Sequence, residues 1–188
     1  MVTYEYWRQE WLKKPVSNGE KKVIQGVGPA NISFFITVVS PEVDCCTEAL
    51  KNIFEQYHGR LSQSLGWVFK DIGLIVVSQR MNQMSVDTIT LNALSAGAKD
   101  IHFDDSDWIS IYCPAHQLEQ VKDILLLEDM VLYRAEIVPV PKDLFPIYAQ
   151  ADGLALVALM NQLVQLPYVY DIAADFQLEE KWLDQDNR

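Results

Sequence analysis

Between Gly73 and Val138 the chain runs strand, helix, strand, strand, helix, strand, and no other feature restricts its fold as much. Leu74 to Val77 is a short apolar run of the kind a buried strand needs. Ser85 stands at an N-cap position. Val86, Ile89, Ala93 and Leu94 follow at helical spacing, and Gly97 supplies the stop. Ile101–Phe103 and Trp108–Tyr112 flank Asp104-Asp105-Ser106-Asp107, a hairpin with an acidic turn. Pro114 opens a second helix, with Leu118, Val121, Ile124 and Leu125 on one side. Val131–Val138 is a strand, since Tyr133, Ala135 and Ile137 alternate with Arg134 and Glu136. This is the split order of a ferredoxin-like sheet with both helices on one face.

The flanking segments belong together. Val23–Ile24 and Ile32–Val39 are strands around the tight turn Gly26-Val27-Gly28-Pro29. Ser40 is placed to cap the next helix, Pro41 fits its first position, and Glu42 and Asp44 suit its positive end. Val43, Cys46, Leu50, Ile53, Phe54 and Tyr57 form its apolar face, and Gly59 ends it. Trp67-Val68-Phe69 is a short strand, and Pro139 and Pro141 break the strand before them. A helix over Asp152–Val164 and a strand over Val169–Phe176 close the chain. One helix and one strand rarely make a domain, so they complete the sheet begun earlier. The expected fold is α+β: a ferredoxin-like βαββαβ domain at 73–142, inserted into an α/β-sandwich domain of residues 20–72 and 143–188. Residues 1–19 are then an N-terminal extension.

Composition narrows function more than fold. The net charge is −11, and residues 1–22 carry five basic against three acidic side chains, leaving −13 on the remainder. That sign opposes a grip on phosphate backbone, so direct nucleic-acid binding should be weak or absent. No apolar run approaches the roughly 20 residues of a membrane span. Met1–Trp11 is not a secretory signal, and three cysteines, Cys45, Cys46 and Cys113, suit a reducing compartment. Cytoplasm is expected, with the mitochondrial matrix as the alternative.

Several segments, in order, carry a resemblance. Gly26-Val27-Gly28-Pro29-Ala30-Asn31-Ile32 resembles the G-Y-G-P-G-G-V turn of the YebC-type family of regulators. Tyr57-His58-Gly59-Arg60-Leu61 follows a helix, as the family's His-Gly does, and Ser64–Phe69 is similar to its next strand. Ala93-Leu94-Ser95-Ala96-Gly97-Ala98-Lys99-Asp100 resembles A-L-E-A-G-A-E-D, and Glu136–Pro141 resembles E-V-T-M-I-P. Tyr112-Cys113-Pro114 and Leu159–Leu163 with Val169-Tyr170 fit its remaining elements. The resemblance covers about residues 20–178. It implies a nested two-domain α+β architecture and a non-enzymatic role in gene expression. Transcriptional regulation and support of translation on the ribosome, including translational activation of cytochrome c oxidase in mitochondria, are both described for the family. Two departures stand out. Residues 1–19 are too short for the family's opening basic helical domain, and its Gly-Gly-Asn-Leu-Gly loop is Gly59-Arg60-Leu61-Ser62-Gln63 here.

Two groups of residues are therefore candidates for contact. Gly26, Gly28, Pro29, His58, Gly59 and Arg60 are expected to touch a partner or RNA. A dinucleotide cradle is excluded, because a strand and not a helix follows the glycines. Tyr4, Tyr6, Trp7 and Trp11, with Lys13 and Lys14, form either part of the core or an aromatic anchor separable from the fold, and the anchor is the expectation. The partner is then the ribosome or a protein complex. No cofactor or metal is expected. Cys113-Pro114-Ala115-His116 with His102 lacks the second ligand pair of a zinc site. No nucleophile elbow or paired catalytic carboxylates are present.

Overall fold

The computed structural model describes residues 1–12, 14, 18–103 and 107–187, with only the backbone of 184–187. In chain order the elements are β1 (Val2–Thr3), α1 (Glu5–Leu12), β2 (Glu20–Val27), β3 (Ser33–Ser40), α2 (Val43–Gln56) and β4 (Arg60–Ser62). Next come β5 (Phe69–Ser78), α3 (Gln79–Asn82), α4 (Val86–Ala96), β6 (Asp100–Phe103), β7 (Trp108–Pro114), α5 (Leu118–Leu127) and β8 (Leu132–Pro141). The chain finishes with β9 (Phe145–Pro146), α6 (Gln150–Val164), β10 (Val169–Ala174) and β11 (Phe176–Leu178), then a 3-10 segment. It divides into two compact units: Met1–Lys70 with Pro141–Arg188, and Asp71–Val140.

In the first unit a four-stranded sheet runs β10-β3-β2-β4. β2 and β3 form an antiparallel hairpin from Glu20↔Ser40 to Val27↔Ser33, and β10 runs antiparallel on the other side of β3. Phe34, Ile36 and Val38 of β3 are buried with Leu50, Ile53 and Phe54 of α2 and with Leu156, Leu159, Met160 and Leu163 of α6. A second, three-stranded sheet, β1-β11-β9, brings Val2 opposite Leu178 and Phe176 opposite Phe145. The expected last strand is thus two strands, parted at Asp175. Asp175 N–H donates to Ser33 O, Ser33 N–H donates back to the Asp175 carboxylate, and Asp175 O accepts from Phe145 N–H.

The second unit has the element order expected for it, with strands arranged β6-β7-β5-β8. Ile75, Val77, Ile109 and Ile111 of the sheet pack with Ile89 and Ala93 of α4 and Val121 and Leu125 of α5. Ser85 Oγ caps α4 by accepting from Thr88 N–H at 3.1 Å, and Gly97 closes it at φ 112°. β8 continues through Pro139 and Pro141. It is an edge strand in the β6-β7-β5-β8 order, so a residue without an N–H can face away from the ladder. The turn residues Asp104, Asp105 and Ser106 lie outside the described residues. Asp107 accepts from Ser78 Oγ and from Arg80 N–H.

Three local expectations need correction. α2 begins at Val43, not at Pro41, because Ser40 is still paired in the β2–β3 ladder. Its hydroxyl accepts from Glu42 N–H in the turn ahead of the helix. Trp67 and Val68 lie in a turn, and the strand starts at Phe69. The end of α2 is set by His58, at φ 57°, and not by Gly59. Gly59 N–H bonds Phe54 O at 2.8 Å and His58 N–H bonds Glu55 O at 3.1 Å, the two closures of a Schellman turn.

Candidate functional site

The turn after β2 is closed by Gly28 N–H to Ile32 O at 2.8 Å and Ile32 N–H to Pro29 O at 3.1 Å. Its tip, Ala30 and Asn31, has φ of 54° and 60°, the left-handed region where glycine is unstrained. Those are the two places where the resembled motif has its Gly-Gly pair. Gly26 and Gly28 serve a different purpose. A Cβ at Gly26 would lie 2.7 Å from a ring carbon of Phe54, and one at Gly28 would lie 2.6 Å from Phe34. A Cβ at Gly59 would lie 2.5 Å from Val27 O. These three glycines let the end of β2, the aromatic core and the start of β4 approach one another. Pro29 is buried beside them, whereas His58 and Arg60 are exposed.

The register Val27↔Arg60 sets Arg60 on the rim of a cavity of about 530 Å³ within the first unit. Trp67, 75% exposed, stands in the same lining with Lys142, whose Nζ donates to Trp67 O at 2.7 Å. Ser33 and Asp175 line it from the buried side, and Ser33 N–H donates to Asp175 Oδ1 at 2.7 Å. Burial pushes the Asp175 carboxyl up from its usual range, and the Ser33 hydrogen bonds pull the other way. Of the sequence candidates, only Arg60 reaches this cavity. Trp67, Lys142 and Asp175 were missed, and the signal available was an aromatic residue followed by cations and acids in loops on either side of the second unit.

Tyr4, Trp7 and Trp11 of the N-terminal aromatic cluster point into the fold and not out of it, and α1 lies within the first unit. Tyr4, Trp7 and Trp11 are buried in the first unit's core. Trp7 Nε1 donates to Asn161 Oδ1 of α6 at 2.7 Å. Arg8 is 1% exposed and pairs with Asp171 of β10 through two hydrogen bonds of 2.8 Å. Lys14 Nζ donates to Leu166 O, just past the end of α6, at 3.1 Å. Desolvation lowers the Lys14 pKa, against a raising effect of Glu10. Tyr6 is exposed, and Lys13 lies outside the described residues. An eight-residue helix with Glu5, Arg8 and Glu10 looks solvated in sequence, yet Arg8 has its carboxylate supplied from β10.

Cys113 is buried and its thiol is pushed up by desolvation, Cys46 is buried, and Cys45 is exposed. His102 bonds Asp100 at 2.9 Å. Among the described residues no group of three or more His, Cys, Asp or Glu side chains could hold a metal. Among them too, no helix is long and apolar enough to cross a membrane.

Residues 19–176 match the family model described as the TACO1/YebC second and third domain. The chain belongs to the TACO1/YebC family. That family is one of regulators and not of enzymes. A "probable transcriptional regulatory protein" of Dictyoglomus turgidum is 25% identical over 166 residues, covering 87% of this chain and 66% of the relative. One of Desulfitobacterium hafniense is 22% identical over 187 residues, covering 94% and 74%. The chain thus spans about two thirds of the length of such relatives. A conserved hypothetical protein of Aquifex aeolicus, Aq1575, has a similar α+β structure. The TM-score is 0.73 at 20% identity, over 88% of this chain and 69% of that one. Helix α1 precedes the residues that match the TACO1/YebC model, so the Arg8–Asp171 pair joins a segment outside the match to a strand inside it.

Proposed function

We propose that this TACO1/YebC-family chain is a gene-expression factor that supports translation through ribosome or protein contacts, in the cytoplasm. The match over residues 19–176 carries the reading, and the relatives' description as probable transcriptional regulators agrees with a regulatory role. Its contact surface is the exposed rim of the first unit at His58, Arg60, Trp67 and Lys142, positioned by the packing of Gly26, Gly28 and Gly59. We read the second unit as a ferredoxin-like module inserted into the first, supported by its βαββαβ order and by strand order β6-β7-β5-β8.

A net charge of −11 favours a second reading, in which the chain is an assembly subunit that reuses the fold without touching nucleic acid. Sedimentation of the purified protein with ribosomes through a sucrose gradient separates the two. Co-migration at physiological salt is expected of the translation factor. Protein that stays at the top of the gradient with every ribosomal preparation contradicts it.

A further inference from the structure

The cavity beside Arg60 has the size and the mixed lining of a small-molecule site. Its 530 Å³ falls within the range of about 300–1,000 Å³ that holds drug-sized ligands. Four kinds of chemistry meet in its lining. Arg60 and Lys142 offer two cations on separate segments, β4 and the loop after β8. Trp67 presents an indole that is 75% exposed, an apolar surface the fold itself does not use. Asp175, 2% exposed and held by Ser33 N–H at 2.7 Å, contributes a buried carboxyl. Asp143 adds an exposed carboxylate on the rim.

We propose that this cavity takes a single mononucleotide, with the base stacked on Trp67, the phosphate between Arg60 and Lys142, and the ribose hydroxyls donating to Asp143. The base edge then meets Asp175, which accepts from a ring or exocyclic N–H. An anion alone leaves the indole and both carboxyls unused, and a neutral aromatic ring leaves both cations unused. A nucleotide uses all of them, since stacking is indifferent to base identity, Arg60 favours bidentate phosphate contact and Lys142 adds a point charge. The occupant is a monomer because a net charge of −11 repels a longer phosphate chain beyond the two local cations. The proposal rests on the reading of this face as the functional one, and adds to it a regulatory small molecule.

Calorimetric titration of the full chain with AMP, GMP, CMP and UMP tests it without ribosomes. Adenosine, inorganic phosphate and a short oligouridine serve as separate arms. At least one mononucleotide should bind more tightly than adenosine and phosphate. Arg60→Ala and Trp67→Ala should each weaken it about tenfold or more while the far-ultraviolet circular dichroism and melt stay unchanged. Phosphate binding as tightly as the nucleotides, no nucleotide binding at all, or oligouridine binding far more tightly than UMP would each overturn it. Ribosome co-migration without nucleotide binding would remove this inference and leave the proposed function standing.

Discussion

The unit Asp71–Val140 is one continuous stretch in which each strand pairs with another from the same stretch, and its best helix is bounded by its own Ser85 and Gly97. The unit of Met1–Lys70 with Pro141–Arg188 is closed instead by polar pairs between distant residues. Trp7 and Asn161 are 154 positions apart, and Arg8 and Asp171 are 163 apart. Both units have an apolar core, but the first should depend in addition on a few buried polar contacts, each of which joins two segments. Loss of one such contact leaves a desolvated polar group behind, which costs more than the contact itself returns.

The severest way to break this contrast is to delete residues 1–12. Two buried tryptophans and the partner of Asp171 leave together, so the first unit should lose more than about 5 kcal/mol. Thermal melts should show its transition collapse. An unchanged melt would mean that α1 is not part of the core. Next in size, Arg8→Ala or Asp171→Ala should each cost about 3–5 kcal/mol by stranding a buried charge. Replacing both, as Arg8→Met with Asp171→Leu, should recover much of that in urea titration. If the double replacement is as costly as the two single ones added, the pair is not acting as a pair.

The end of α2 gives a sharper test between neighbours. Gly59→Ala should cost roughly 1–3 kcal/mol, because its Cβ meets a backbone oxygen. His58→Gly should stabilise by about 0.5–1 kcal/mol, since it relieves a left-handed residue at φ 57°. Opposite signs in denaturant midpoints are expected, and equal signs would reassign the turn. In the second unit, Ser85→Ala should cost about 1 kcal/mol. Ser40→Ala, whose hydroxyl does not cap a helix, should cost less. The smallest effect concerns pH. The folded pKa of Asp175 lies above the ordinary carboxylate value of 3.8, so the fold favours its neutral form. That contribution is present in acid and lost as pH rises through the folded value, and Asp175→Asn should remove this slope from a pH series of urea midpoints.

What the sequence revealed follows the same division. Every element of the second unit except α3 was legible, because its signals are local: an N-cap, a glycine stop and alternation in Val131–Val138. In the first unit the hairpin and both long helices were legible, but β1, β9 and β11 were not. Those strands have two or three residues and no periodicity to display. The burial of Arg8 was hidden because its carboxylate arrives from β10, and sequence spacing carries no trace of that pairing. At the site, the glycines were recognised through the family's motif, yet their role is steric. Trp67 has the sequence signature of a strand residue, since an aromatic beside Val68 and Phe69 looks like a pleated face, yet it lies in a turn. In sequence Asp175 continues the strand on either side of it, and it is the pairing of Ser33 and Phe145 with it that divides β10 from β11.

We propose that the rim carrying Arg60 and Lys142 is where this family member meets the translation apparatus. Both side chains are exposed, so reversing their charge as Arg60→Glu with Lys142→Glu should leave the melt unchanged. Sucrose-gradient co-sedimentation of wild type and this double variant with ribosomes then tests the claim most directly. Wild type should migrate with the ribosomal peak, and the variant should remain at the top. A variant that co-migrates as fully as wild type would contradict it.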